Sequence, residues 1–225
     1  MATILITGAG SGIGAACARR LAPGNRLILV GRDARRLAAV QAALPGVHAV
    51  VSADLATPAG ISAAAAAAGD GLDVLINNAG AFRLAACEAI DAGHLDALWR
   101  INVAAPMLLT AACLPRLRAG GVVVNVSSTA ADNAFTGCAA YTACKCAIEG
   151  WSRVLREELR PRGIRVSVVA PGATDTPIWS AATTAAMRGR MVCADDVAAA
   201  IALAIDAPAA ASFDRIAVTP AAGPL

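Results

Sequence analysis

The sequence predicts an α/β fold: a doubly wound sheet of about seven parallel strands with helices on both faces. Two observations carry this. Short apolar stretches bounded by Gly, Asn or Asp alternate with helical stretches along the chain, the pattern of a parallel sheet with crossover helices. The length of 225 residues and mass of 22.4 kDa also suit one α/β domain over residues 1–225. The apolar stretches place strands near Thr3–Thr7, Arg26–Val30, Val47–Ser52, Val74–Asn77, Val122–Val126, Arg165–Val169 and Asp214–Val218. The run Ala63–Ala68 is read as a helix between the third and fourth strands, because Ala is the strongest helix former. Right-handed crossovers put helices on both sheet faces and the ligand crevice at the strand carboxyl ends.

Composition excludes several classes of function. Hydrophobic residues make up 57% of the chain, yet charged or turn residues break every apolar run before about 18 positions, so no membrane span is expected. Met1–Gly8 enters a strand pattern without a basic or apolar leader, and the seven cysteines have no paired spacing. The expectation is therefore a cytoplasmic protein with reduced thiols. The net charge of +3 is spread over scattered arginines, which argues against nucleic acid or anionic lipid as a partner.

The first chemical signal closes the first strand: Thr7-Gly8-Ala9-Gly10-Ser11-Gly12-Ile13-Gly14. Glycines at this spacing allow a tight turn, backbone approach to a pyrophosphate and close packing of the next helix. The N–H groups of that helix then face the anion. The bland alternative is a plain glycine turn. The second signal is compositional: the chain has a single Tyr and a single Lys, Tyr141 and Lys145, four residues apart and so on one helix face. All 19 basic positions but one are Arg, as though an ammonium with a shiftable pKa is needed at Lys145. That points to proton transfer by the phenol, with the ammonium favouring phenolate; a surface Tyr/Lys pair is the alternative.

Together with Asn77-Asn78-Ala79-Gly80, Ser127-Ser128 and Pro171-Gly172, these motifs resemble the short-chain dehydrogenase/reductase superfamily over nearly the whole chain. The resemblance implies a Rossmann-type fold, a nicotinamide dinucleotide cofactor and a small carbonyl or alcohol substrate. Carried over by position, Ser128 holds the substrate oxygen, Tyr141 exchanges its proton, and Lys145 binds the nicotinamide ribose while lowering the Tyr141 pKa. Asn102 holds a water of a proton relay behind Lys145, or only bridges backbone groups. The implied cofactor contacts are Gly8, Gly10, Ser11, Gly12, Ile13, Gly14, Arg32, Asp54, Leu55, Asn77, Asn78, Ala79, Gly80, Tyr141, Lys145, Pro171, Gly172 and Thr176. Ser127 is read as a turn residue bonded to backbone, Asn77 and Asn78 as cofactor-lining residues or turn formers, and Thr57 as a better helix cap than Asp54. A homodimer or homotetramer is the assembly the resemblance implies, with Trp99, Trp151 and Leu155 as candidate contacts. A non-catalytic NADP-binding regulator and a sugar-nucleotide epimerase or dehydratase are the rival functions. The longer relatives with epimerase activity have a Gly-x-x-Gly-x-x-Gly loop, which this chain lacks.

The end of the second strand bears on the cofactor's phosphate state. Gly31 stands where an Asp or Glu would grip a ribose diol, and Arg32 follows, so NADP is expected over NAD. Asp33 is read mainly as a helix cap. Residues 176–192 are expected to overhang the crevice as a substrate loop. Ile178, Trp179, Met187 and Met191 there suit an apolar carbonyl compound, and Arg188 and Arg190 meet an acid or face solvent. Phe82, Arg83 and Asn133 to Phe135 are candidate opposite walls. No metal site is expected: Cys144 and Cys146 diverge on a helix, and His48 and His94 match no motif.

Overall fold

The structure is a computed structural model that describes residues 1–179 and 183–223. Seven strands form one parallel sheet: β1 (Thr3–Thr7), β2 (Arg26–Gly31), β3 (Ala49–Ser52), β4 (Leu72–Asn77), β5 (Leu117–Val126), β6 (Arg165–Pro171) and β7 (Arg215–Val218), ordered β3-β2-β1-β4-β5-β6-β7. The chain order reverses between β1 and β4, so this Rossmann-type sheet has its topological switch point there.

Alternation along each strand divides the core. On β1, Ile4 and Ile6 pack beneath α1 (Gly12–Leu21) and α8 (Ala194–Ile205), while Leu5 packs on the other face with α3 (Pro58–Ala66), α5 (Ala105–Cys113) and α6 (Ala139–Leu159). α2 (Ala34–Ala42) adds Leu37 to the first layer, and α4 (Ala92–Trp99) adds Leu98 to a smaller cluster against α6. Local chemistry starts these helices. Asp33 caps α2 by accepting from the N–H groups of Arg35 and Arg36, and Thr57 caps α3 by accepting from Gly60 with Pro58 in the first turn. The short α7 (Ala185–Arg188) is capped by Thr184.

Strand ends depart from the sequence expectation where pairing overrides local pattern. β3 begins at Ala49 and not Val47. Just before it, His48 turns its ring inward, Nδ1 accepting from Leu27 N at 3.2 Å and Nε2 donating to the Pro45 carbonyl at 2.8 Å. β5 starts at Leu117 because Leu72 recruits it across a register shift, and Gly120, at φ +79°, lies in this extension. β6 runs on to Pro171, paired with Val218. Asp214 falls outside β7: its carbonyl accepts from Val168 N and its carboxylate pairs with Arg156 at 3.1 Å.

Helix α1 closely approaches the loop after β1 at Gly14, where an added Cβ would lie 2.2 Å from the Gly8 carbonyl oxygen. Backbone is the obstacle, so Gly14→Ala must displace α1. It is expected to lower stability by about 1–3 kcal/mol, read as a lower urea midpoint at unchanged slope. An unchanged midpoint would show that α1 shifts freely.

A candidate active site at the strand carboxyl ends

A cavity of about 1020 Å³ opens where the fold places it, over the carboxyl ends of the central strands. One side chain joins the two strands that flank the opening. The Thr7 hydroxyl donates to the Ile76 carbonyl (3.1 Å) and accepts from the N–H groups of Asn78 and Ala79, both at 2.9 Å. Asn78 returns the contact, its amide donating to the Thr7 carbonyl at 2.9 Å. Sequence reading placed Thr7 in the glycine motif and gave it no role of its own.

The glycine loop forms a cradle that side chains would fill. Gly8 takes φ +67°, and a Cβ there would lie 2.9 Å from Asn78 Nδ2; at Gly12, φ +51°, it would lie 3.0 Å from Thr176. Ser11 is the N-cap of α1 but makes no side-chain cap bond, so the first-turn N–H groups of a ten-residue helix remain available at the cavity wall. These residues fit the pyrophosphate of a dinucleotide. Gly8, Gly10, Ser11, Gly12 and Ile13 line the cavity, whereas Gly14 lies behind it as the packing glycine.

At one end of the cavity lie Gly31, Arg32, Asp33, Arg36, Asp54 and Leu55. Arg32 is exposed and has no ion-pair partner among the described residues. Asp33 is occupied as a cap and pairs with Arg36 at 3.3 Å, which leaves it poorly placed to grip a ribose. Asp54 accepts from Ala56 N at 3.0 Å. Arg36 was not anticipated as a lining residue: from sequence it is one of several arginines in a helix.

At the other end α6 presents Tyr141 and Lys145, with Ser128 at the end of β5 and Asn102 behind Gly80. Lys145 Nζ lies 5.5 Å from the Tyr141 ring centroid and donates to the Val126 carbonyl at 2.9 Å. The expected lowering of the Tyr141 pKa by Lys145 is not found in the cofactor-free protein. Burial pushes the phenol up to about 12, and the Ser128 hydroxyl pulls it back only in part. Burial pushes Lys145 down to about 8. The Ser128 hydroxyl also accepts from Ala130 N at 3.1 Å, capping a 3₁₀ turn.

Two polar expectations are corrected, and Asn102 makes the backbone bridges given as one of its two alternatives. Asn77 does not line the cavity: it is buried, donating to Thr110 Oγ1 at 3.0 Å and Asn125 Oδ1 at 2.9 Å, because side chains alternate across the sheet at the end of β4. The Ser127 hydroxyl is buried and, among the described residues, has no hydrogen-bond partner in place of the expected backbone bond. Asn102 occupies a π turn, Arg100–Ala104, joining α4 to α5. Its amide donates to the carbonyls of Ala81 (2.9 Å) and Leu98 (3.0 Å), and its oxygen accepts from Ala81 N. That is the backbone-bridging role, and it fixes the segment after Gly80.

Pro171, Gly172, Thr176, Ala79 and Gly80 line the cavity as expected. In the 176–192 segment Ile178 and Trp179 also line it, but Met187 and Met191 do not; positions 180–182 lie outside the described residues. Arg188 pairs with Asp175 and does not line the cavity. Leu155 is buried in the core, which removes it from the candidate contact surface, whereas Trp99 is 49% exposed. Among the described residues no group of three His, Cys, Asp or Glu side chains could hold a metal ion.

Comparison with known proteins gives the same picture independently. A family model described as short chain dehydrogenase matches residues 2–186. The chain is similar to a D-threitol dehydrogenase of Mycolicibacterium smegmatis, 36% identical over 224 residues, covering 91% of this chain and 86% of the relative. It superimposes on a short-chain dehydrogenase from Burkholderia cenocepacia J2315 in complex with NADP (34% identity, TM-score 0.87, covering 96% and 94% of the two chains). A 3-ketoacyl-(acyl-carrier-protein) reductase from Brucella melitensis complexed with NADH superimposes equally well, with 30% identity and a TM-score of 0.89, covering 98% and 97%. With sequence, sheet order and glycine cradle in agreement over so much of its length, the chain belongs to the short-chain dehydrogenase family of NAD(P)-dependent oxidoreductases.

Proposed function

We propose that this protein interconverts a carbonyl compound and its secondary alcohol with NADP(H), Tyr141 serving as the acid and base. The observation that carries this reading is the placement of Tyr141 in the cavity wall, with the Ser128 hydroxyl acting on its phenol and Lys145 Nζ 5.5 Å from its ring. When bound, a reduced nicotinamide supplies the hydride for the carbonyl carbon. Ser128 orients the substrate oxygen. Tyr141 gives that oxygen its proton, and burial suits it to this by keeping the phenol protonated through neutral pH. Lys145, anchored on the Val126 carbonyl, supplies positive charge beneath the ring. The cradle of Gly8, Gly10, Ser11 and Gly12 holds the pyrophosphate and Arg32 the 2′-phosphate.

The reading extends to assembly and location. The outer faces of α4, α5 and α6 expose Leu95, Trp99, Leu108 and Val154, surface that fits a homodimer or homotetramer. All seven cysteines are free thiols, which fits the reducing cytoplasm, and among the described residues no helix is long and apolar enough to cross a membrane.

Tyr141→Phe keeps the ring and removes only the transferable proton. A fall in kcat of roughly 10²–10⁴-fold is expected, with NADPH affinity retained in a fluorescence titration. Activity near wild type would remove Tyr141 from the mechanism.

Cofactor choice is tested at the end of β2. Arg32, without an acidic partner, offers the 2′-phosphate a charge-assisted contact, and NADPH is expected to bind roughly ten times or more tightly than NADH. The double substitution Gly31→Asp, Arg32→Ala should reverse that order. A Cβ at Gly31 meets nothing nearer than Leu37 Cδ2 at 3.4 Å, so the carboxylate can be accommodated. Equal affinities in the unaltered protein would make Arg32 a solvated surface residue.

The buried lysine has a pH signature in the cofactor-free protein. Its pKa falls from 10.5 to about 8 on folding, so between these values the unfolded chain holds a proton that the folded chain has released. Stability from this group is therefore lowest below pH 8 and rises toward pH 10. Above pH 10 Tyr141 works in the opposite sense, as its pKa rises from 10.0 to about 12. From pH 7 to 10 the unfolding free energy of the wild type should rise relative to Lys145→Met by on the order of 2 kcal/mol. Parallel curves for the two proteins would show that Lys145 stays protonated on folding.

A further inference from the structure

The chain has three Phe, three Trp and one Tyr, an aromatic content of only 3%. Four of those seven side chains, Phe82, Phe135, Tyr141 and Trp179, line the one cavity at the candidate active site. They also interlock. Phe82 meets Tyr141 edge-on with centroids 5.0 Å apart and planes at 83°, and it meets Trp179 at 5.4 Å and 60°. Trp179 Nε1 donates to the Thr174 carbonyl at 2.8 Å, so its polar atom is spent on the protein and the rest of the ring is hydrocarbon. Ile178 and Leu84, 46% and 60% exposed, extend the apolar surface outward.

Several polar groups at this end are engaged elsewhere, and Arg83, a lining residue with no ion pair among the described residues, is exposed to solvent beside Phe82. Among the described residues the carboxylates lining the cavity are Asp33 and Asp54, both after β2 and β3 at the far end. Arg100 is tied to Asp96 at 2.7 Å, and the Asn133 amide to the Thr129 carbonyl at 2.9 Å. A polyol or an amino acid seated here would lose water and find few fixed partners. An aryl group would exchange water for aromatic contact.

Resting on the carbonyl reductase reading above, we propose that the substrate is a ketone carrying an aryl ring on a short alkyl arm, its ring seated against Phe82, Phe135 and Trp179 and its carbonyl at Ser128 and Tyr141. The reaction balances as ketone, NADPH and a proton giving the secondary alcohol and NADP⁺. The hydride with its electron pair goes to the carbonyl carbon, and the Tyr141 proton, replaced from solvent, goes to the oxygen.

The test compares kcat/KM of the NADPH-loaded protein for 1-phenylpropan-2-one, acetone and hydroxyacetone. The aryl ketone is expected to exceed acetone by roughly 30-fold or more, and hydroxyacetone to gain nothing over acetone. Trp179→Ala should shrink the aryl-to-acetone ratio about tenfold, and Phe82→Leu, which keeps an apolar filler, should shrink it in the same direction. Binding is read separately with N-benzylacetamide, whose carbonyl does not accept hydride: it should raise the Tm of the NADPH complex where acetamide at the same concentration does not. Faster turnover of hydroxyacetone than of the aryl ketone, or no Tm shift by the aryl amide, overturns the aryl seat and leaves the oxidoreductase reading in place. A Tm shift by the aryl amide with no ketone reduced supports the seat and overturns the reductase reading.

Discussion

The Thr7 hydroxyl is the contact on which the rest of the site depends. One donor and two acceptances join the end of β1 to the end of β4, the pair of strands between which the crossover direction reverses. That splits the chain's helices to opposite sides and leaves the crevice open. The same bonds set Asn78 against the Thr7 carbonyl and bring Ala79 within 3.0 Å of where a Cβ on Gly8 would stand. Glycine is therefore required by two separate contacts: Gly8 by the segment after β4, and Gly14 by the Gly8 carbonyl. The pyrophosphate cradle is a consequence of strand pairing as much as of the loop's own flexibility.

Burial acts on the two ends of the Tyr141–Lys145 pair in opposite directions. Desolvation disfavours the charged form of each, which raises the phenol and lowers the ammonium. A helix spacing of four brings them together, but it does not by itself make phenolate. At neutral pH the phenol stays protonated while Lys145, at about 8, remains mostly ammonium, anchored on the Val126 carbonyl. Tyr141 therefore carries its proton through neutral pH, the form that the proposed carbonyl reduction uses. The phenol also forms part of the aromatic corner with Phe82, so the residue proposed to move the proton shares a wall with the proposed substrate surface.

Behind the cleft a second polar layer holds the machinery in place. Asn77 reaches Thr110 and Asn125, Asn125 reaches Ser152, and Ser152 donates to the Ile148 carbonyl, joining β4 and β5 to α5 and α6. Asn102 anchors the segment after Gly80 from the π turn, and a Cβ on Gly80 would meet its oxygen at 2.8 Å. These residues lie in apolar surroundings where an unmade hydrogen bond is costly, so they specify one arrangement of the strand ends and helices.

The fold class, the strand alternation, the glycine loop and the Tyr141/Lys145 pair were all legible in the sequence, because each rests on local periodicity or on residue types that local geometry demands. Caps such as Asp33 and Thr57 were legible for the same reason: the cap and the N–H groups that donate to it are neighbours in the chain. Whether Asn77 faces the cavity or the core was not legible, since one residue of register decides it and register is set by pairing with β1 and β5. The burial of Ser127, the pairing of Arg188 with Asp175, the start of β5, and the meeting of Phe82 with Tyr141 and Trp179 are likewise set by contacts between segments apart in the chain. The sequence by itself determined which chemistry is present and on which element each group rides. Only the tertiary structure decided which of those groups meet, and at what pKa, because distance and desolvation are properties of packing and not of spacing along the chain.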